Sequence, residues 1–193
     1  MMGTSDKLKL IIPSKVNSSD TLEYVINLLE IATPGEIMAS VKLNEAIEQN
    51  DIAIAKGKFT SIIEKTKSNI EKFKKGEFGK ELIQRSSGLK YVIHEKGNGK
   101  RPVMRQKVKA HYAGFLMDGS NFDNSFESGK PLEFPIGVNR VIAGWEEGIP
   151  MLDEGSKATL FVPYKLAYGE AGSPPKIPEK ADLVFYIEII NIK

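Results

Sequence analysis

The stretch VKAHYAGFLMDGSNFDNS, residues 108–125, decides the fold class of this chain of 193 residues. Its first part, residues 108–114, is typical of a β-strand, and Asp118-Gly119 marks a tight turn. Other strand patterns occur at residues 89–93, 160–163 and 183–190. The sequence therefore predicts a sheet of several strands in the last part of the chain.

One short helix interrupts these strands. Asn139 is a suitable N-cap, and apolar side chains follow on one side at helical spacing, at Val141, Ile142, Trp145 and Ile149. An antiparallel sheet wrapped over one short helix is an α+β domain. We therefore predict an α+β fold for residues 88–193.

A helical arm is predicted ahead of this domain, over residues 32–87. No proline lies between Pro34 and Pro102, and this middle part is rich in Lys, Glu, Ile and Ala. Residues 33–36, Thr-Pro-Gly-Glu, give a good helix start. We expect the helix to break around Asn50-Asp51 and at Gly57, and to end near Gly76 or Gly79.

The arm has one apolar face. Six of the seven residues that recur at steps of three and four are apolar: Ile52, Ala55, Phe59, Ile62, Thr66, Ile70 and Phe73. Two interpretations stay open. The face packs on its own chain, or it forms a homodimer contact.

The first 31 residues resemble part of the C-terminal domain. Residues 7–16 match residues 157–166, and residues 22–31 match residues 183–192. We interpret residues 1–31 as a partial repeat that forms a two-strand hairpin. The alternative is a chance resemblance between two pairs of amphipathic strands.

Composition excludes several classes of protein. Lys and Arg number 27 against 25 Asp and Glu, which argues against a nucleic-acid binder that acts through bulk charge. No cysteine is present, so thiol catalysis, disulfides and cysteine-based zinc sites are excluded. No apolar run is long enough to cross a bilayer, and we expect no export signal in residues 1–10.

Most catalytic motifs are also missing. His94 and His111 lack the carboxylate spacing of a zinc site, and residues 97–100 lack that of a phosphate loop. We expect Glu146-Glu147 to lie on a solvated helix face. No metal or cofactor is therefore expected.

Aromatic and aliphatic residues of the last domain stand out instead. By composition alone they are a hydrophobic core, but residues 108–125 closely resemble the FKBP family of peptidyl-prolyl isomerases. The resemblance continues through residues 141–148, VIAGWEEG, and residues 166–169, LAYG, and then through Ile177-Pro178 and residues 183–185, LVF. It covers residues 88–193. The helical arm ahead of it is similar in layout to the Mip-like bacterial branch, whose N-terminal helices often dimerise.

The resemblance implies a twisted antiparallel half-barrel around the short helix, with a binding pocket between them. It implies that Trp145 forms the pocket floor and that four aromatic side chains form its walls: Tyr112, Phe122, Phe134 and Phe185. Val141 and Ile142 lie on the loop before the helix, and Tyr168 and Ile177 come from a flap.

Three residues are assigned to catalysis by the same resemblance: Tyr112, Asp123 and Tyr168. The Ile142 amide and the Tyr168 hydroxyl are expected to donate hydrogen bonds to substrate or inhibitor carbonyls. Asp123 is expected to be the polar group beside the twisted peptide bond. Ser128, Leu132 and Ser173 replace a basic residue, an aromatic residue and a histidine that relatives of the human type often carry. Asp123 is therefore expected to lack an ionic neighbour, and Lys176 to make the flap more polar.

The function that the resemblance implies is isomerisation of Xaa-Pro bonds in unfolded or partly folded proteins, with FKBP-directed macrolides as inhibitors. The rival interpretation is a folding chaperone or a peptide-binding module with little turnover. A third alternative is a degenerate scaffold. Resemblance to Mip-like proteins favours the bacterial periplasm or outer membrane over the cytoplasm.

Overall fold

The computed structural model describes residues 10–15, 24–29 and 34–193. The predicted cap Thr33 and parts of the stretches that match the C-terminal domain lie outside these residues. The described chain divides into two compact units, residues 1–50 and residues 51–193. The predicted boundaries at 31/32 and 87/88 stay predictions.

The first unit contains a two-stranded sheet and the start of a long helix. Strand β1 (Leu10–Lys15) pairs antiparallel with β2 (Tyr24–Leu29), so the predicted hairpin strands are present. Leu10 pairs with Leu29. Its sequence counterpart Leu160 pairs with Phe185, which corresponds to Tyr24. The β1–β2 pair and the β8–β9 pair are both antiparallel but differ in register. The partial repeat therefore stays a prediction.

Helix α1 (Pro34–Lys75) is one helix of 42 residues. The predicted breaks at Asn50-Asp51 and Gly57 are therefore wrong. A glycine inside a helix costs about 1 kcal/mol relative to alanine, and burial of nearby Ala55 and Ile62 offsets that cost. The predicted end is confirmed at Gly76, whose φ of 70° suits a glycine that closes a helix.

The second unit is built on seven antiparallel strands. They are β3 (Ile83–Gln84), β4 (Lys90–Glu95), β5 (Lys107–Leu116), β6 (Asn121–Asn124), β7 (Leu132–Pro135), β8 (Lys157–Val162) and β9 (Leu183–Ile192). The order in the sheet is β3-β4-β8-β9-β5-β6, and β7 pairs with β5 beside β6. The expected α+β architecture is confirmed.

The short helix α2 (Ala143–Gly148) packs against one face of this sheet, and a 3-10 turn at Ile149–Met151 extends it. The expectation that Asn139 caps α2 is wrong, because the N-cap residue is Ile142. Asn139 instead adopts a φ of 56°, which asparagine tolerates in a turn better than most residues.

Side chains of the central strands alternate between two buried faces. On β9, Leu183 and Phe185 belong to the core next to α2, whereas Val184 and Tyr186 belong to a second core on the other face. This alternation is the period of two that a strand imposes. The sheet is therefore covered on both faces.

The second half of α1 covers that other face. Ala55, Ile62 and Ile70 are at most 4% exposed, and Phe73 stacks on Phe161 with ring centroids 4.0 Å apart. The apolar face of residues 52–73 therefore packs on its own chain, as the first of the two interpretations holds.

Candidate functional site

A cavity of about 430 Å³ opens between α2 and the sheet. Strands β5, β6, β7 and β9, the loop before α2, α2 itself and the loop after β8 all contribute to its wall. Its lining residues are Tyr112, Phe122, Asp123, Leu132, Asn139, Arg140, Val141, Ile142, Trp145, Tyr168 and Phe185. Eight of the ten predicted site residues are thus brought together.

Trp145 forms the floor of the cavity. It is 4% exposed, and the Tyr112 and Phe185 rings stand nearly perpendicular to it, with centroids 5.2 and 5.3 Å away. Edge-to-face contacts of this kind hold aromatic rings in fixed positions. The floor is therefore apolar and packed between aromatic rings.

A pair of polar groups lies at the edge of this apolar floor. The Tyr112 hydroxyl donates a hydrogen bond of 2.7 Å to Oδ2 of Asp123. Burial, and then the bond to Asp123, raise the pKa of Tyr112 well above its ordinary value. Burial and the charge of Asp123 likewise raise the pKa of Tyr168. Both phenols therefore stay protonated and can donate hydrogen bonds at neutral pH.

Glu146 holds the loop before α2 in place. Its carboxylate accepts hydrogen bonds from the backbone amides of Gly137 and Arg140, the second at 3.1 Å. The loop between these residues and α2 carries Val141 and Ile142 into the cavity wall. Glu146 thus has a structural role that the expected solvated helix face did not include. Glu147, in contrast, forms an exposed ion pair with Arg85 at 3.2 Å.

Comparison with known proteins agrees with this geometry. The family model described as FKBP-type peptidyl-prolyl cis-trans isomerase matches residues 99–190. The crystal structure of AtFKBP13 is 41% identical, with a TM-score of 0.55, over 58% of this chain and 99% of that chain. The crystal structure of FkpA from Escherichia coli is 35% identical, with a TM-score of 0.57, over 84% of this chain and 74% of that chain.

The chain belongs to the FKBP-type peptidyl-prolyl cis-trans isomerase family. FkpA from Aeromonas hydrophila is 42% identical over 66% of this chain and 49% of that protein. A probable FkpA from Neisseria meningitidis is 35% identical over 90% of this chain and 63% of that protein. The chain thus spans about half to two thirds of the length of these curated FKBP-type relatives.

Two residues that the FKBP resemblance placed at the pocket, Phe134 and Ile177, are not among the lining residues of the cavity. Phe134 is 4% exposed and packs beside Trp145, with ring centroids 5.5 Å apart. Ile177 is equally buried, and its backbone exchanges two hydrogen bonds with Ser173. Leu132, two residues before Phe134 on β7, lines the cavity. Trp145 and Phe185 are equally buried and line the cavity, so the role of Phe134 and Ile177 in the site stays a prediction.

Asn139 and Arg140 line the cavity but were not predicted as site residues. The only signal in the sequence is their position immediately before Val141. Ser128 donates a hydrogen bond to the Ser125 carbonyl. The hydrogen bond that Asp123 accepts from a side chain comes from Tyr112.

The two histidines lie on the α1 side of the sheet. Nε2 of His94 lies 3.2 Å from Nδ2 of Asn69 and 2.8 Å from Oγ1 of Thr159. Nδ1 of His111 lies 2.9 Å from Oγ of Ser125. Both rings therefore belong to the packing between helix and sheet.

Proposed function

We propose that this chain catalyses cis–trans isomerisation of Xaa-Pro bonds in unfolded or partly folded proteins. The observation that carries the proposal is the cavity with Trp145 as its floor and the Tyr112–Asp123 pair at its edge. A prolyl ring fits an apolar floor walled by aromatic side chains, and the polar pair lies where the preceding carbonyl would project.

The rate of this isomerisation depends on the charge distribution of the amide. Rotation about a peptide bond faces a barrier of about 18–20 kcal/mol because the planar amide is stabilised by resonance. Twisting removes negative charge from the carbonyl oxygen, so an apolar cavity favours the twisted state over the planar one. A thousandfold acceleration needs about 4 kcal/mol of such preference.

Individual residues then have distinct roles. As the N-cap residue of α2, Ile142 has an amide that the helix does not use, and this amide can donate to a substrate carbonyl. The Tyr168 hydroxyl is a second donor, and Tyr112 holds Asp123 beside the rotating bond. Phe134 and Ile177 support the cavity from behind.

The experiment is cis–trans exchange of a blocked tetrapeptide with one Xaa-Pro bond, with and without an FKBP-directed macrolide. We expect fast exchange that the macrolide inhibits. Trp145→Ala serves as the inactive comparison, with circular dichroism to establish that it is folded. No acceleration by a folded sample of the parent chain would overturn the proposal.

A chaperone activity is the second candidate. The first half of α1 carries apolar side chains that are 47–61% exposed, at Met38, Val41, Leu43 and Ile47. Exposed apolar groups of this kind bind unfolded chains. We expect the protein to suppress aggregation of a client without proline, and the variant with all four residues changed to Ser to lose that effect. Equal suppression by both proteins would exclude this role for α1.

Association and location are proposed from resemblance and from the relatives. The same exposed residues are the proposed site of a homodimer, as in the Mip-like branch, and the relatives named FkpA favour a periplasmic location. Among the described residues, no helix combines the length and apolar character needed to cross a membrane. Sedimentation of the parent chain and the Ser variant tests the dimer, and cell fractionation tests the location.

A further inference from the structure

A second groove adjoins the cavity on the other side of Phe122 and Asp123. It has a volume of about 410 Å³, close to that of the cavity itself, and Phe122 and Asp123 line both. Strand β6 forms one wall and Lys176 of the flap contributes to the other. A polypeptide whose prolyl residue lies in the cavity can therefore continue directly into this groove.

The wall formed by β6 is an unpaired strand edge. Among the described strands, β6 is the last one on its side of the sheet. The Ser125 amide, just after β6, donates to the Tyr112 carbonyl of β5. Because successive residues of a strand direct their amides to opposite sides, the Asn124 amide and carbonyl point away from β5 and towards the groove. An extended peptide forms backbone hydrogen bonds with an edge of this kind.

The charged groups of the groove are two carboxylates and one ammonium group. Asp123 and Glu127 line it together with Lys176. The balance of charge is negative, so a peptide with a basic side chain next to the prolyl segment is favoured over one with an acidic side chain. All three charged residues are exposed, so the preference is modest and sensitive to salt.

Given the proposed isomerase function, on which this inference rests, we propose that the groove binds the client chain beside the Xaa-Pro bond. The client lies there as a short extended strand along β6, and basic side chains are preferred. The cavity then provides turnover, and the groove provides recognition of the flanking sequence.

The first test compares peptides of different length. A ten-residue peptide with the same central four residues as the blocked tetrapeptide should give a kcat/KM about fivefold higher, mainly through a lower KM. N-methylation of flanking backbone nitrogens should remove this gain at alternate positions only, because a strand turns alternate amides to its partner. Hydrogen exchange of the Asn124 amide should slow with the long peptide and stay unchanged with the tetrapeptide.

The second test concerns charge. The parent chain should prefer a Lys-flanked peptide over a Glu-flanked one about threefold at low salt. Glu127→Gln should lower that ratio and Lys176→Gln should raise it. Glu133→Gln is the matched control, because Glu133 of β7 forms an ion pair with Lys107 of β5 and does not line the groove, so the ratio should not change.

The outcomes separate the two proposals. Normal turnover of the tetrapeptide with no gain from length would overturn the groove and leave the isomerase function intact. A folded protein that does not turn over the tetrapeptide would overturn the isomerase function, and hydrogen exchange at Asn124 would then still decide whether the groove binds peptide. Equal effects of N-methylation at every position would contradict the strand-like mode of binding.

Discussion

The two faces of the seven-stranded sheet contrast in how they are filled. Towards α2, the side chains leave an open cavity of about 430 Å³ above Trp145. Towards the second half of α1, the space is filled mainly by rings and aliphatic chains, with polar clusters such as that of Asn69, His94 and Thr159 among them. We therefore expect one face to bind a ligand and the other to stabilise the fold.

The contrast shows how strand alternation separates two tasks within one strand. Phe185 contacts the cavity, whereas the next residue, Tyr186, packs towards α1 and donates a hydrogen bond to the buried Glu188. Neighbouring substitutions on β9 should therefore affect different properties. The predictions below test how complete this separation is.

The largest effect is expected on the α1 face. Ile70 is 1% exposed, so Ile70→Ala should lower the free energy of unfolding by about 2–5 kcal/mol through lost burial and a cavity. Ile54 lies on the same helix, is 50% exposed and serves as the control. Ile54→Ala should change the free energy of unfolding by less than about 0.5 kcal/mol. Urea unfolding measures both. Where Ile70→Ala is still folded, its kcat/KM should match that of the parent, and a tenfold loss would show that the two faces are coupled.

On the cavity face, Asp123→Ala should lower kcat/KM by about 5- to 30-fold, because the Tyr112 hydroxyl loses its acceptor and the rotating bond loses its polar neighbour. Its free energy of unfolding should change little, since Asp123 is exposed. Asp153→Ala, which removes an ion pair with Arg101, is the control and should keep full activity. Peptide exchange measures kcat/KM, and urea unfolding measures the free energy of unfolding. Equal activity of the two variants would remove Asp123 from the site.

Acid should loosen the α1 face first. Burial, with help from Lys65 and Lys72 against the opposing charge of Glu95, lowers the pKa of His94 to about 4. Nε2 of His94 lies beside Nδ2 of Asn69, and this nitrogen can only donate a hydrogen bond. Nε2 must therefore accept, and only the neutral ring can do so. Because the unfolded chain binds this proton more readily, stability is present above about pH 6.5 and is lost as the pH falls towards 4.

The expected loss between pH 7 and pH 4.5 is about 1–2 kcal/mol, after allowance for solvent around a ring that is only partly buried. His94→Gln should flatten this dependence in urea unfolding, because a neutral amide does not titrate. Burial also lowers the pKa of His111. His111→Gln is therefore the control, and it should keep the part of the pH dependence that is due to His94. An unchanged slope in His94→Gln would contradict the assignment.

The smallest effect is expected at the loop before α2. Glu146→Gln replaces an acceptor of two backbone amides by a group with one acceptor oxygen, so the loop that carries Val141 and Ile142 loses a hydrogen bond. We expect KM to rise about two- to threefold with kcat nearly unchanged. Glu147→Gln loses only the exposed pair with Arg85 and should behave as the parent. A fall in kcat alone would argue against a positioning role.

The sequence allowed the sheet and α2 to be predicted, because alternation and helical spacing are local signals. The cavity and its residues were predicted only from the resemblance to the FKBP family. Continuity of α1 through Gly57 was missed, since the burial that offsets the glycine comes from strands distant in sequence. The start of α2 was predicted at Asn139 but lies at Ile142. The carboxylate of Glu146 accepts hydrogen bonds from amides of the preceding loop, and residue spacing in the sequence does not reveal these bonds.

Phe134 and Leu132 illustrate a second limit. They are two residues apart on β7, so their side chains point to the same face. Leu132 is 40% exposed and lines the cavity, whereas Phe134 is 4% exposed and packs beside Trp145. Depth of this kind depends on where the helix docks, and sequence periodicity has no information on it.

The chain has a single tryptophan, and it lies in the cavity floor. Its indole N–H is buried and donates to none of the described residues, so the ring has an apolar environment and should emit at short wavelength. Any molecule that fills the cavity lies against this ring and changes its surroundings. Fluorescence of the unlabelled protein is therefore a direct optical signal of occupancy, and it can follow binding even in variants that no longer turn over a substrate.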